Sequence, residues 1–365
     1  MANMRNMFPG GNSCCGFFSF YQYMIPETAC RKVILKGGPG VGKSTLMKNL
    51  GNAFSKQGHD VEFHWCSSDN QSLDGIVVGD QNVCVLDGTA PHTVDPRFPG
   101  AFDEIINLGE CWDETQLVNN RDKIITLTKS ISKCFERAYN RLKEAQFGYL
   151  ECKAYTAEAT QTGKANRNIL ALADEFLQHA SKLDRPPRHL FAAAITPQGV
   201  VNTVDSLIGK TDLLFAVKGN PGSGVKELFN YIVQLASLNE IYLEIYHSPF
   251  NPEEIDLILL PHNHTALIDI SGWIVNYQKN LNNRKYKRLL DFNQFIDDSI
   301  LDANARNFAL AKERFENGIQ EAVHFIEQAK NLHDNLESYY VPAMNFDKIT
   351  TIQEELFEKL SKDLQ

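Results

Sequence analysis

Residues 36–45, KGGPGVGKST, hold the most specific chemistry in the chain. Gly37 and Gly42 are separated by four residues, and Lys43 and Ser44 follow directly. With Gly38 and Gly40, these glycines let backbone N–H groups face an anion where side chains would block it. Pro39 and Val41 complete the loop. Lys43 offers a cation to the β- and γ-phosphates of a nucleoside triphosphate, and Ser44, with Thr45 beside it, offers a hydroxyl to Mg²⁺. The elements needed to hold such a loop flank it. Val33-Ile34-Leu35 is a short apolar run that predicts a strand. Met47, Leu50 and Phe54 recur at helical spacing, and a helix starting at Lys43 adds partial positive charge at its N-terminus.

Further along, Val83–Leu86 is an apolar run that closes in Asp87. A strand ending there sets a carboxylate beside the phosphate loop, where it orients Mg²⁺ through water. Residues 87–100, DGTAPHTVDPRFPG, are too rich in proline and glycine for a helix or a central strand. They predict a loop over the carboxyl edge of the sheet. Thr89, His92 and Asp95 are candidates there for the γ-phosphate, the attacking water or a second substrate, and Asp69 is another. The catalytic set is thus Lys43, Asp87, Asp69 and His92, with Ser44 and Asp87 as metal-holding groups.

The chain also repeats itself. KGNPGSG at 218–224 mirrors KGGPGVG at 36–42, an offset of 182 (218 − 36). At that offset Asp256 meets Asp74, and Thr265–Asp269 meets Val83–Asp87. The apolar positions of residues 127–145 meet those of 311–329 two residues further on. The second loop is altered. Val225 stands where Lys43 would be, Lys226 where Ser44 would be and Glu227 where Thr45 would be. One productive nucleotide site, in the first half, is expected. Two helical stretches close the first unit, one carrying Ile124 to Leu142 and one running to the break at Pro186-Pro187. Such an arm docks on its counterpart at 303–340 or engages a partner.

Composition sets bounds. The chain has 365 residues, is 43% hydrophobic and 22% charged, and carries a net charge of −9. That is the profile of a globular protein without global attraction to nucleic acid or anionic membrane. No run approaches the length of a membrane span. The N-terminal MANMRNMFPGGNS lacks an apolar signal region, so a cytoplasmic location is expected. All eight cysteines lie at or before Cys152 without a C-x-x-C pair, which is no disulfide framework.

Residues 36–45 carry the Walker A spacing, in which the chain resembles the P-loop NTPase superfamily. Its two loop units, DGTAPH at 87–92 and HLFAAAITPQG at 189–199 resemble a poorly characterised bacterial family of tandem-repeat P-loop ATPases. The resemblance implies ATP as ligand and a kinase-like or AAA-like sheet. The fold expected is α/β, two tandem P-loop NTPase-like units, each a parallel sheet flanked by helices with a helical arm. Residues 1–184 form the unit with the intact loop and 185–365 the unit with the degenerate one. The function expected is a Mg²⁺-dependent ATPase whose nucleotide state moves the halves. A small-molecule or nucleotide kinase and a nucleotide-binding regulatory or scaffold protein remain as alternatives. A protein partner or self-association through the helical arms also stays open.

Overall fold

The computed structural model describes residues 2–90, 93–183, 185–209, 211–281 and 284–365. The first half contains β1 (Met4–Met7), β2 (Gly10–Ser13), β3 (Gly16–Ser19), β4 (Arg31–Lys36), α1 (Lys43–Lys56), β5 (Val61–Trp65), β6 (Leu73–Val78), β7 (Val83–Asp87), β8 (Asp103–Asn107), α2 (Glu114–Asn119), α3 (Arg121–Ala159) and α4 (Thr162–Leu177). The second contains β9 (Arg188–Phe191), β10 (Ala193–Thr196), β11 (Gly199–Asn202), α5 (Val204–Ile208), β12 (Leu213–Lys218), α6 (Val225–Leu238), β13 (Glu244–His247), β14 (Ile255–Leu260), β15 (Thr265–Asp269), β16 (Arg288–Asp291), α7 (Asp298–Ala303), α8 (Ala305–Tyr340) and α9 (Phe346–Asp363).

Two six-stranded sheets result, in the orders β1-β5-β6-β7-β4-β8 and β9-β13-β14-β15-β12-β16. Read from β1 and β9, each position in one sheet has a counterpart in the other. The sheets are mixed rather than parallel throughout, because β6 and β14 run antiparallel to both their neighbours. The reason is chain length. β5 and β6 are joined by residues 66–72, and β6 and β7 by the turn 79–82. A parallel crossover needs about a dozen residues or more. The turn is tight, with Asp80 and Gln81 at φ 46° and 65°. β4 lies parallel to β7 and β8, so the loop strand sits between them.

Each sheet buries one face under a helix of its own half and one of the other half. On the first sheet, Leu46, Met47, Leu50 and Phe54 of α1 join Val33, Val83 and Val85, and Ile349, Leu356 and Leu360 of α9 complete the same core. On the second, Leu228, Phe229 and Ile232 of α6 join Phe215 and Val217, and Ile169, Leu172 and Phe176 of α4 complete it. The halves thus exchange their last helices. α4 also ends at Leu177, well short of the expected stop at Pro186-Pro187.

The exchange requires long connectors, which α3 and α8 supply. They pack antiparallel along their lengths. Lys123 stacks on Tyr339, Arg141 pairs with Glu321 at 2.9 Å, and Cys152 bonds the Phe308 carbonyl. Close approach depends on small residues: a Cβ on Gly148 would come within 2.5 Å of the Ala311 carbonyl oxygen. At 1.5 Å per residue α3 spans roughly 58 Å.

Where the halves meet, four charged side chains form a closed set. Arg5 of β1 bonds Glu62 of β5 at 3.2 Å and Glu244 of β13 at 3.0 Å. Arg188 of β9 bonds Glu62 at 2.6 Å and lies 3.7 Å from Glu244. Burial alone would raise the pKa of Glu62, but Arg188, His64 and Arg5 outweigh it and hold the group well below the usual carboxylate range. Glu244 is likewise lowered, by Arg5 and Arg188 against its burial.

Two outcomes follow from this packing. Carboxylates with depressed folded pKa values stabilise above their unfolded pKa, so this contribution is full above about pH 5 and is lost as the pH falls below ~4. Arg188→Met strands a buried carboxylate and should cost roughly 3 kcal/mol at pH 7, read as a lowered urea midpoint. Residues 1–184 expressed alone lack α9 and should expose an apolar sheet face. Coexpression with 185–365 should restore a cooperative melt, and a separately folded 1–184 fragment of undiminished stability would refute the exchange.

Candidate functional site

The first glycine loop, residues 37–42, leaves the carboxyl end of β4 and enters α1 at Lys43. Gly40 and Gly42 adopt φ 67° and 87°, a left-handed conformation costly for other residues. Lys43 folds back over the loop. Its Nζ donates to the Gly37 and Gly38 carbonyls at 2.9 and 2.7 Å and lies 3.5 Å from Asp87 Oδ2. Asp87 is brought there by register, as the β7 partner of Leu35 in β4. Its Oδ1 accepts from the Thr89 N–H at 2.8 Å, and the Thr89 hydroxyl donates to the Gly37 carbonyl at 3.0 Å. Ser44 Oγ accepts from the Leu73 N–H at 2.9 Å, which leaves its proton and a lone pair for another partner. Thr45 is exposed. Lys43, Ser44, Asp87 and Thr89 are therefore gathered at one loop.

The other expected residues are placed differently. Asp69 lies in the β5–β6 connection, where it accepts from the Gln71 N–H and the Ser72 hydroxyl. Asp95 pairs at 2.9 Å with Lys36 at the end of β4, and the same ammonium donates to the Gly88 and Val94 carbonyls. His92 lies outside the described residues.

Further groups stand beside this site that the catalytic set does not include. Asp74, one step beyond the Gly75–Leu86 pair, stands across from Asp87 and is buried against Tyr21 and Cys66. Lys330 of α8 comes from the other half and lies 3.5 Å from Asp69. Against partial burial, Asp334, Asp69 and Glu337 hold its pKa above the ordinary value. The end of α8 also backs the loop, with Tyr340 against Gly38 and Glu337 and Val341 against Gly40. Only the helix exchange brings the α8 groups here.

The second loop repeats the frame with other chemistry. α6 begins at Val225 after Gly224, so an apolar side chain replaces the lysine. A cavity of about 60 Å³ lies beside it. Lys226 and Lys153, the latter from α3, both face Glu254, at 3.7 and 3.3 Å, and Tyr149 donates to the same carboxylate at 2.6 Å. Asp269 accepts from Ser271, and Asp256 from Tyr277 at 3.2 Å. Burial, and then the charge of Asp269, push the Asp256 carboxyl well above its usual range. Burial pushes Asp269 up to about 6 despite the bonds from Ser271.

Among the described residues no helix is long and apolar enough to cross a membrane. A family model described as RNA helicase matches residues 33–122, from β4 through the glycine loop, α1 and Asp87 into the start of α3. No curated protein and no solved structure matches the chain. The family match, together with two mixed, mostly parallel sheets flanked by helices, supports a nucleotide-binding domain of the P-loop NTPase type in a chain of two P-loop-like α/β units.

Proposed function

We propose that the chain is an ATPase with one productive site per molecule, at residues 37–45. The observation that carries this reading is the grouping of Lys43, Ser44 and Asp87 at a glycine loop between a strand and a helix N-terminus. In this reading the loop is a Walker A motif whose amides hold the phosphates. Lys43 leaves the Gly37 and Gly38 carbonyls for the β- and γ-oxygens, and Ser44 and Asp87 place Mg²⁺. The metal neutralises charge developing between the β- and γ-phosphates when it is bound. Asp69 and Lys330 flank the site, and the lysine supplies a second cation from the opposite half. The chain is then an internal duplication, with units at 1–184 and 185–365 joined through exchanged helices. Hydrolysis couples to the α3–α8 pair because the ends of that pair rest on the two loops.

The family match favours a second reading, in which RNA stimulates turnover. The two are told apart by measuring phosphate release from ATP with and without added single-stranded RNA. A kinase instead requires a metabolite acceptor before any turnover appears.

Lys43→Ala should reduce ATP turnover by about a hundredfold or more, since it removes a cation facing transition-state charge. Asp87→Asn should lower Mg²⁺-dependent turnover more than nucleotide affinity. Calorimetry with a non-hydrolysable ATP analogue should give a stoichiometry near one, abolished by Lys43→Ala and untouched by Lys226→Ala. A second nucleotide lost on Lys226→Ala would overturn the single-site assignment.

A further inference from the structure

We propose that the cavity beside the second glycine loop is a divalent-cation site whose protein donors are Asp256, Asp269 and Ser248. The inference does not depend on ATP turnover at the first loop. It starts from the sheet. Leu257 pairs with Ile268 across β14 and β15, so the next residues, Asp256 and Asp269, stand directly opposite one another. Directly opposed side chains in an antiparallel pair have Cβ atoms about 4.5–5.5 Å apart, and like charges there repel.

The first sheet has the same pair, Asp74 and Asp87, but there Lys43 Nζ lies 3.5 Å from Asp87. In the second sheet the corresponding residue is Val225. The two lysines that line the cavity, Lys153 and Lys226, are turned to Glu254. Among the described residues no cation pairs with Asp256 or Asp269 within ion-pair distance. The position thus keeps two carboxylates and has lost the charge that offset them.

A second observation points into the same space. Ser248 is 1% exposed, lines the cavity, and its hydroxyl has no hydrogen-bond partner among the described residues. A buried hydroxyl without a partner is costly, and a metal or a metal-bound water would satisfy it. The donors are all oxygen, which selects a hard cation such as Mg²⁺ or Mn²⁺ over a soft one. A cavity of about 60 Å³ has room for an ion with part of its hydration.

The test is Mn²⁺ binding to the full chain without nucleotide, followed by electron paramagnetic resonance. The expected result is a bound Mn²⁺ whose affinity falls at least tenfold in Asp269→Asn and several-fold in Ser248→Ala, and is unchanged in Asp87→Asn. Asp269→Asn keeps an oxygen to accept from Ser271, so thermal melts should show it folded. Val225→Lys restores the missing cation without removing a donor. It should abolish Mn²⁺ binding while raising the melting temperature of the metal-free chain. No bound Mn²⁺, a site lost only in Asp87→Asn, or a site that persists in both Asp269→Asn and Val225→Lys would overturn the proposal. So would stabilisation by ammonium ions or small amines without any by Mn²⁺.

Discussion

The arrangement depends on the reciprocal contact of Arg5 and Arg188 with Glu62 and Glu244. Each arginine reaches a glutamate of its own sheet and one of the other. Four buried charges pack only if all are present, because removing any one leaves another uncompensated. Such a set adds little net stability over apolar packing. What it supplies is placement: sliding one sheet edge along the other would break both cross-sheet pairs, Arg5–Glu244 and Arg188–Glu62, at once. Beside it, the Phe8 and Phe191 backbones exchange hydrogen bonds at 2.9 and 3.0 Å, which fixes the same register. With the sheet edges pinned there, α3 and α8 run between the two halves.

That constraint gives the helix pair its function in the fold. α3 leaves the first unit and ends against the second loop, where its Lys153 carbonyl packs on Gly222. α8 makes the reverse journey, and Tyr340 packs on Gly38. Each glycine loop is thus backed by a helix whose other end lies near the other loop. A loop that reshapes around phosphate must push on this strut or be restrained by it. Because α4 and α9 continue into the opposite cores, movement of the strut is resisted by buried apolar contacts at both ends. The coupling surface is a packed one with small residues at its centre, where little lateral adjustment is available.

Much of the first site was legible because its residues are local or set by strand register. The loop lies within ten consecutive residues, and Asp87 needed only an apolar run ending in a carboxylate. The two-unit α/β architecture was legible from the repeated glycine loop and the matched positions of Asp87 and Asp269. What escaped has physical reasons. The reversal of β6, in a sheet expected to be parallel, follows from the short connections on either side of it, which a parallel crossover could not make. β8 is an edge strand with half-exposed Ile105 and lacks a clear alternation. Tyr340 reaches the loop from about three hundred residues away, and Lys330 reaches Asp69 from a similarly remote part of the chain. The last helices show an apolar stripe, but a stripe does not say whose sheet it covers.

The difference between the two loops comes down to one side chain in a shared frame. Both sheets end a central strand in an aspartate, and both set a second aspartate across from it. In the first half, the residue opening the helix after the loop is Lys43, whose ammonium serves the aspartate and the loop carbonyls together. In the proposed ATPase, a triphosphate at this loop takes over the lysine and the carboxylate pair then favours a metal ion, so phosphate and cation support one another. In the second half Val225 removes the lysine while the carboxylates stay. A polyanion now meets two negative groups, Glu254 close by and Glu227 on the first turn of the helix, and the lysines present are already engaged. The same backbone frame therefore holds, in the second half, a site whose electrostatics favour a cation.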